Sequence, residues 1–399
     1  MIHIDEKSNC CGCTACYNAC PAKAIQMKPD KEGFLYPVVD EKKCVDCNIC
    51  ESTCPIQNRP RADENTRSFI LRNRDLEVVK QSTSGGVFTL IAQYLLNNGF
   101  IVYGAGYDSD MQVVCKVASH PEELAEMRGS KFVQSHLGFT FSEIKKKLKN
   151  GERVLFSGTP CQVTGLIAFL GNKPDNLICL DFVCRGVPSP GLWKNYVSMM
   201  ERKYGSQMIE ASFKNKTYGY HSTTMKVSFS NGKTWTGSGR VDPMMKAFVC
   251  EMASRPSCHS CQFKGIMRVS DITMFDCYKF SEITGEADDD KGYSSVLVHS
   301  DKGMKILDAI KGDAVLFHAP LDQLVEKNGI MINHSSKPNP RRDTFYELCY
   351  YMPIDQAMNR VNPITQKDKI IEASKSILYR TGLIKTIRKF KKEEIQVND

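Results

Sequence analysis

The sequence has no long apolar run. The longest, around Val87–Leu96, is interrupted by Thr89 and Gln93 and is far shorter than the roughly 20 residues that span a bilayer. The first nine residues, MIHIDEKSN, are charged and contain no apolar core, so no secretory signal is expected. These absences predict a cytoplasmic protein without a transmembrane segment.

A strong excess of charge of one sign is also missing. The chain carries 53 basic and 45 acidic residues, a net charge of +8, and its aromatic and basic residues do not interleave as in nucleic-acid binders. The eight histidines are scattered and form no ligand pair. We therefore expect no nucleic-acid partner and no histidine-based metal site.

Cysteine, by contrast, is abundant, with 18 in 399 residues. In a long chain without a secretory signal, so many cysteines indicate metal or redox chemistry in a reducing compartment rather than disulfides. The length is sufficient for one large domain or for two to three ordinary ones.

Two copies of one cysteine pattern lie near the N-terminus. Each reads C-x2-C-x2-C-x3-C-P, first from Cys10 to Pro21 and again from Cys44 to Pro55. This is the bacterial ferredoxin spacing, in which the fourth cysteine of each run binds the other cluster. Structural zinc is the alternative, but it usually needs two C-x2-C pairs or added histidines. The predicted ligands are Cys10, Cys13, Cys16 and Cys54 for a first 4Fe-4S cluster, and Cys44, Cys47, Cys50 and Cys20 for a second.

The domain organisation follows from these runs. Residues 1–57 are predicted to form a two-cluster ferredoxin domain, in which Cys11 falls outside the pattern and is interpreted as a spare thiol. A polar linker is predicted over residues 58–75. The fold class is α+β: this small domain precedes a larger mixed α/β domain over residues 76–345 and a helical basic tail over residues 346–399.

The larger domain opens with a glycine-rich turn before a helix, within QSTSGGVFTLIAQYLLNNGF, residues 81–100. Ser84, Gly85 and Gly86 would offer free N–H groups to an anion at a helix start. A plain helix cap is the alternative. Gly99 is expected to end the helix in the left-handed conformation.

A strand–helix–strand unit is predicted over residues 153–184. Thr159 suits an N-cap and Pro160 the first helical position, and the two flanking strands should be parallel neighbours. Cys161 and Cys184 would then lie at the carboxyl edge of the sheet, where open α/β folds build their sites.

A further pair, Cys258 and Cys261, is spaced C-x2-C. Together with Cys161 and Cys184 it could complete a third cluster. Alternatively, Cys161 and Cys184 are buried small residues and the pair is half of a zinc site. The spacing alone leaves both readings open.

Seven short motifs, in this order, resemble the coenzyme F-420 hydrogenase/dehydrogenase beta-subunit family. The resemblance covers roughly residues 68–340, and residues 1–57 match a ferredoxin module that many members carry. The motifs are STSGG (82–86), GSKFVQS (129–135), SGTPCQVTGL (157–166), DFVCRGVPSP (181–190), RPSCHSCQFK (255–264), RVSDIT (268–273) and DDKGYSS (289–295).

The resemblance implies an iron–sulfur flavoprotein, with the larger domain binding FAD. It favours a third 4Fe-4S cluster, with ligands Cys161, Cys184, Cys258 and Cys261. Lys131, Asp276 and Tyr278 are the catalytic candidates. Lys131 would neutralise flavin or phosphate charge, which the resemblance favours, or be a surface lysine. Asp276 or Tyr278 would supply a proton, with a helix cap or core packing as the alternative. The implied FAD contacts are Ser84, Gly85, Gly86, Gly129, Ser130, Lys131, Thr159 and Pro160.

The implied function is an oxidoreductase that passes electrons between ferredoxin-type clusters and FAD, to reduce or oxidise a deazaflavin or another small organic substrate. Ferredoxin or reduced deazaflavin would be the redox partner, and relatives occur among surface-polysaccharide genes. The alternative is a non-catalytic electron-transfer subunit of a larger redox complex.

Two basic segments allow more than one interpretation. FKNKTYGYHS, residues 213–222, would cover the flavin, hold an acidic substrate, or form a solvated loop. KSILYRTGLIKTIRKFKKEEIQ, residues 375–396, predicts an amphipathic helix with Leu378, Leu383, Ile387 and Phe390 on its apolar side. That helix would pack on the body or make weak contact with a membrane surface.

Overall fold

The computed structural model describes residues 1–62 and 65–383. The strands of this part form sheets of two, three and eight strands. They are β1 (Ile25–Pro29), β2 (Leu35–Val39), β3 (Arg67–Asn73), β4 (Phe100–Tyr107), β5 (Val113–Ala118), β6 (Arg153–Ser157), β7 (Leu177–Phe182), β8 (Met208–Asn215), β9 (Thr224–Phe229), β10 (Thr234–Gly237), β11 (Ile272–Asp276), β12 (Ser294–Val298) and β13 (Ala314–His318).

Helices alternate with many of these strands. They are α1 (Ala15–Ala19), α2 (Ile49–Ser52), α3 (Leu76–Gln81), α4 (Val87–Asn97), α5 (Thr140–Lys149), α6 (Pro160–Leu170), α7 (Pro190–Tyr204), α8 (Pro243–Val249), α9 (Phe280–Thr284), α10 (Asp301–Ile310), α11 (Leu321–Asn328), α12 (Ile330–Asn333), α13 (Arg342–Tyr351), α14 (Ile354–Val361) and α15 (Gln366–Arg380). The predicted architecture, a small N-terminal module followed by a larger mixed α/β body, is confirmed.

The large sheet has the order β13-β3-β12-β11-β7-β6-β4-β5. Its centre, β11, β7, β6 and β4, is parallel, so the carboxyl ends of these four strands meet at one edge. The predicted strand–helix–strand unit is confirmed: β6 pairs with β7 in parallel, and α6 joins them. Thr159 caps α6 reciprocally with Gln162, and Gly171 ends the helix in the left-handed conformation.

The predicted linker over residues 58–75 is wrong in its second half. Arg67–Asn73 form β3, which pairs with both β12 and β13 inside the large sheet. Phe69, Ile70 and Leu71 are buried there. A short apolar run of this kind is typical of a strand covered on both faces. The charged residues on either side of it make the segment resemble a polar linker in the sequence.

The N-terminal module shares its core with the body. Phe34 and Tyr36 of the module are buried in one hydrophobic cluster with Trp193 and Phe345. Cys11, Cys13 and Ala15 are buried in another, with residues of α5 and α6. Residues 1–57 therefore pack as an integral layer of the molecule.

The predicted boundary of the tail at residue 346 is also wrong. Helix α13 crosses it, and Tyr346, Ile354 and Met358 are buried in the same cluster as Trp193. Of the three helices α13, α14 and α15, only α15 carries no buried residue. Of the predicted apolar side of the tail, Leu383 is exposed, and Ile387 and Phe390 lie outside the described residues.

Within residues 1–62 and 65–383, no helix is both long enough and apolar enough to span a membrane.

Candidate functional site

The second predicted cluster site is a cavity at the surface of the N-terminal module. The cavity has a volume of about 360 Å³. Asp46 and Asn48 adopt left-handed backbone conformations, which lets this loop wrap around the cavity. Cys47 is exposed. The lining includes the four predicted ligands, Cys20, Cys44, Cys47 and Cys50, with apolar neighbours Ala22, Ala24, Ile25, Val39 and Val45.

Backbone amides point at two of these sulfurs. The N–H of Ile2 donates to Cys50 Sγ at 3.3 Å, and the N–H of Ala24 donates to Cys20 Sγ at the same distance. Hydrogen bonds to thiolate sulfur stabilise its negative charge and help to set the potential of a cluster. Such a donor set suits thiolate ligands.

The first predicted cluster site is more deeply buried. Burial raises the pKa of the Cys16 thiol, and the nearby Cys10 and Cys54 raise it further. Cysteines of both runs therefore lie close together at this site. Cys13 packs on α6: a Cβ at Gly165 would lie 2.8 Å from Cys13 Sγ. Glycine at position 165 therefore lets this site approach the body closely.

The third predicted site is a cavity of about 610 Å³ at the carboxyl edge of the large sheet. Cys161 lies in the first turn of α6 and Cys184 follows β7. Burial raises the pKa of Cys184, and Cys258 and Cys161 add to the effect. The sequence predicted this convergence. The lining includes Cys161, Cys184, Cys258 and Cys261, with Ile56, Val187 and Phe263.

Cys11, interpreted from the sequence as a spare thiol, lines this third cavity as well. Its thiol interacts with the thiols of Cys13 and Cys161, and the interaction with Cys13 together with burial raises its pKa. Cys11 thus joins a residue of the first site to a residue of the third. Nothing in the C-x2-C spacing signalled this role, because it depends on docking the module against α6.

Among the described residues, no three His, Cys, Asp or Glu side chains form a group that could hold a single metal ion. The thiolates of a 4Fe-4S cluster bind its four iron atoms from outside and need a cavity between them. The two cysteine-lined cavities and their mostly apolar walls fit that group.

Six of the eight residues predicted to hold FAD, those at positions 84–86 and 129–131, lie in two neighbouring loops. Ser130 N–H donates to Thr83 Oγ1 at 2.8 Å, which joins the GSK loop to the STSGG loop. Gly85 N–H donates to Ser294 Oγ at 3.0 Å, and Ser84 Oγ lies 2.7 Å from the same hydroxyl. These polar atoms are used inside the protein, as in the plain-cap alternative.

The remaining predicted flavin contacts are engaged as well. Lys131 Nζ donates to the carbonyls of Glu126 and Arg128 at 3.1 and 2.9 Å. Burial, with Lys116 nearby, lowers the pKa of Lys131 to about 7. Thr159 and Pro160 line the third cysteine cavity, and Thr159 Oγ1 lies 3.1 Å from Cys161 Sγ. Gly85, Lys131 and Thr159 therefore make these polar contacts within the protein.

Asp276 and Tyr278 lie at the carboxyl end of β11, within a cluster of basic and aromatic side chains. Lys214 pairs with Asp276, and Tyr220 Oη donates to Asp276 Oδ1 at 3.3 Å. The rings of Tyr220 and Tyr278 stack with centroids 5.0 Å apart. The contacts of the described residues do not bring Lys131 to this pair, so the three predicted catalytic residues do not form one group.

The segment 213–222 is therefore not a solvated loop. Tyr220 is buried, and Lys216 Nζ donates to the carbonyls of Val79 and Ser84 at 2.6 and 2.5 Å. Burial lowers the pKa of Lys216 to about 8. The segment joins Asp276 to the STSGG loop. No motif in the sequence marks Lys214 or Lys216 as site residues.

Comparisons with known proteins agree with this arrangement. Family models match residues 69–139 (coenzyme F420 hydrogenase/dehydrogenase, beta subunit N-term), residues 151–323 (its C terminus) and residues 9–58 (4Fe-4S dicluster domain). The coenzyme F420 hydrogenase subunit beta of Methanosarcina barkeri is 25% identical over 264 residues, 63% of this chain and 81% of that protein.

Two further similarities extend over more of the chain. An uncharacterized protein of Methanocaldococcus jannaschii is 23% identical over 334 residues, 75% of this chain and 85% of that protein. A solved chain of the F420-reducing NiFe hydrogenase complex from Methanosarcina barkeri matches 77% of this chain and 95% of its own length. Its sequence identity is 18% and its TM-score 0.42.

Proposed function

The chain belongs to the coenzyme F420 hydrogenase/dehydrogenase beta-subunit family and carries a 4Fe-4S dicluster domain, and on that premise we propose that it is an iron–sulfur oxidoreductase with three 4Fe-4S clusters. It passes electrons between an external ferredoxin-type partner and an organic substrate such as a deazaflavin. The observation that carries the proposal is the third cavity, whose four cysteines adjoin Cys11 and Ile56 of the N-terminal module.

The cysteines supply what such a function requires. When bound, 4Fe-4S clusters exchange single electrons. Cys10, Cys13, Cys16 and Cys54 hold the first, Cys20, Cys44, Cys47 and Cys50 the second, and Cys161, Cys184, Cys258 and Cys261 the third. The surface position of Cys47 opens the second site to a partner.

FAD remains part of the proposal on the family resemblance alone. Since Gly85, Lys131 and Thr159 use their polar atoms inside the protein, no step is assigned to a flavin here. Asp276, paired with Lys214 and Tyr220, is the better candidate for contact with an organic substrate. Release of a flavin on denaturation, identified by its absorbance and mass, tests the FAD assignment.

A second candidate function is electron transfer without substrate chemistry. The relative in Methanosarcina barkeri is named as a subunit of a hydrogenase, and this chain would likewise pass electrons between partner proteins. The two functions share the clusters and differ in whether the isolated chain turns over a small molecule.

Anaerobically prepared protein tests both. Iron and sulfide should each approach about twelve per chain by the count of ligands, and chemically reduced ferredoxin should drive reduction of a member of a panel of deazaflavins and quinones. Full iron content with no turnover of any acceptor would favour the electron-transfer subunit. Stoichiometric zinc with little iron would refute both candidates.

A further inference from the structure

Arg255 lies wholly buried between the N-terminal module and the body. Its Nε donates to the carbonyl of Cys10 at 2.7 Å, and one terminal nitrogen donates to Gln134 Oε1 at 2.9 Å. The other terminal nitrogen donates to the carbonyl of Leu35 at 3.1 Å and to Cys10 Sγ at 3.6 Å. The guanidinium also lies over the ring of Tyr36, 4.1 Å from its centroid.

This buried cation has no carboxylate in an ion pair among the residues that the structure describes. A buried charge without a counter-charge costs several kcal/mol, so negative charge is needed nearby. The groups that supply it are sulfurs: burial lowers the pKa of Arg255, but Cys10 and Cys11 help to raise it above its usual value.

The sulfurs around Arg255 belong to two of the three cysteine sites. Cys10 is a predicted ligand of the first cluster. Cys258, three residues further along the chain, is a predicted ligand of the third, and its N–H donates to the Arg255 carbonyl at 2.9 Å. Arg255 lines neither of the two cysteine cavities, and the cysteines that raise its pKa, Cys10, Cys11 and Cys258, do not belong to the second site.

We propose that Arg255 is a positioning residue that raises the reduction potentials of the first and third clusters. The inference rests on the proposed function, because it presupposes the clusters. A reduced cluster carries one more negative charge than an oxidised one, so a fixed cation beside it favours the reduced form.

The consequence is a direction for electron movement. By raising these two potentials, Arg255 would favour the movement of an electron from the second site, where Cys47 is exposed, into the body. Each step transfers one electron between clusters, and no bond forms or breaks. Arg255 thus favours transfer from the surface toward the carboxyl edge of the sheet.

The test is a potentiometric titration of the holoprotein followed by electron paramagnetic resonance. In Arg255→Gln, the midpoint potentials of the first and third clusters should become more negative, and that of the second cluster should stay unchanged. Arg255→Lys, which keeps the charge, should shift them less. Arg72→Gln is the matched control and should leave all three potentials unchanged, because Arg72 pairs with Asp289 and lines neither cysteine cavity.

A second variant covers the case in which Arg255→Gln does not fold. Gln134→Glu leaves Arg255 in place and sets a carboxylate beside it, so the same two potentials should become more negative. Unchanged potentials in a cluster-loaded variant, or equal shifts of all three, would overturn the proposal. A wild-type protein without iron–sulfur signals would instead refute the proposed function.

Discussion

Gly33 of the N-terminal module and Gly191 in the first turn of α7 are in direct backbone contact. A Cβ at Gly191 would lie 2.7 Å from Gly33 Cα, and Gly191 N–H donates to the Gly33 carbonyl at 3.3 Å. Beside them, Arg342 donates to both carboxylate oxygens of Glu32, and Ser189 Oγ donates to the Glu32 carbonyl. This contact fixes the module, and with it two of the cysteine sites, on the body.

Replacement of Gly191 by alanine should therefore destabilise the protein. Alanine is the better helix former by up to about 1 kcal/mol, so a loss of stability would report the contact itself. We expect a net loss of about 1–3 kcal/mol, typical of an overpacked site, measured by urea unfolding. Gly312→Ala is the control, because its Cβ would meet open space. Equal stability of the two variants would argue against close docking.

The part of the site that depends on local pattern could be predicted from the sequence. Cys161 was placed correctly because Thr159, Pro160 and Gly171 mark the two ends of α6 and the flanking apolar runs mark β6 and β7. The repeated cysteine spacing likewise groups the four cysteines that line the surface cavity. Each of these inferences needs only neighbours along the chain.

The rest depends on contacts between distant parts of the chain. Arg255 is 245 residues from Cys10, and no periodicity connects them. The sequence spacing leaves Cys11 without a role, because only the docking of the module against α6 brings it close to Cys161. The sequence does not reveal β3 as a strand of the large sheet, because its pairing partners, β12 and β13, lie more than two hundred residues further along the chain.

Removal of one ligand of the third site should leave the other two sites loaded. Cys258→Ser should lower the iron content by about a third, since four of the twelve predicted ligands serve this cluster. Cys349→Ser is the matched control, because Cys349 lies in helix α13, apart from the cysteine sites. Iron and sulfide analysis measures both variants. Full iron content in Cys258→Ser would mean that Cys258 is a packing residue.

The buried imidazole of His299 should make stability depend on pH. Burial, with Arg268 and Lys173 nearby, lowers the pKa of His299 to about 3. Between that value and the pKa of about 6.5 of the unfolded chain, only the unfolded state binds the proton. The stabilising contribution is therefore fully present above the unfolded pKa, and it is lost as the pH falls.

The expected loss between pH 7 and pH 5 is about 2 kcal/mol. His299→Gln, which can still bond to Thr66 and Thr273, should remove most of that slope in urea unfolding. His3→Gln should keep it, because the side chain of His3 is largely exposed. Parallel pH profiles for wild type and His299→Gln would contradict the assignment.

The proposed path makes opposite predictions for its two ends. Cys47 belongs to the exposed site, so Cys47→Ser should slow reduction of the whole chain by reduced ferredoxin. Small reductants such as dithionite should still reduce the two remaining clusters, because they do not need the docking face of the second site. Cys258→Ser should show the converse: ferredoxin reduces the N-terminal clusters at the wild-type rate, but electrons fail to reach an organic acceptor.

Rapid mixing with reduced ferredoxin, followed by absorbance at the cluster bands, separates these outcomes. The rate of the first phase reports the second site and the rate of acceptor reduction reports the third. If Cys258→Ser also slows the first phase, the sites do not act in series. If Cys47→Ser accepts electrons from ferredoxin at the wild-type rate, the partner docks elsewhere, and the surface cavity is not where electrons enter.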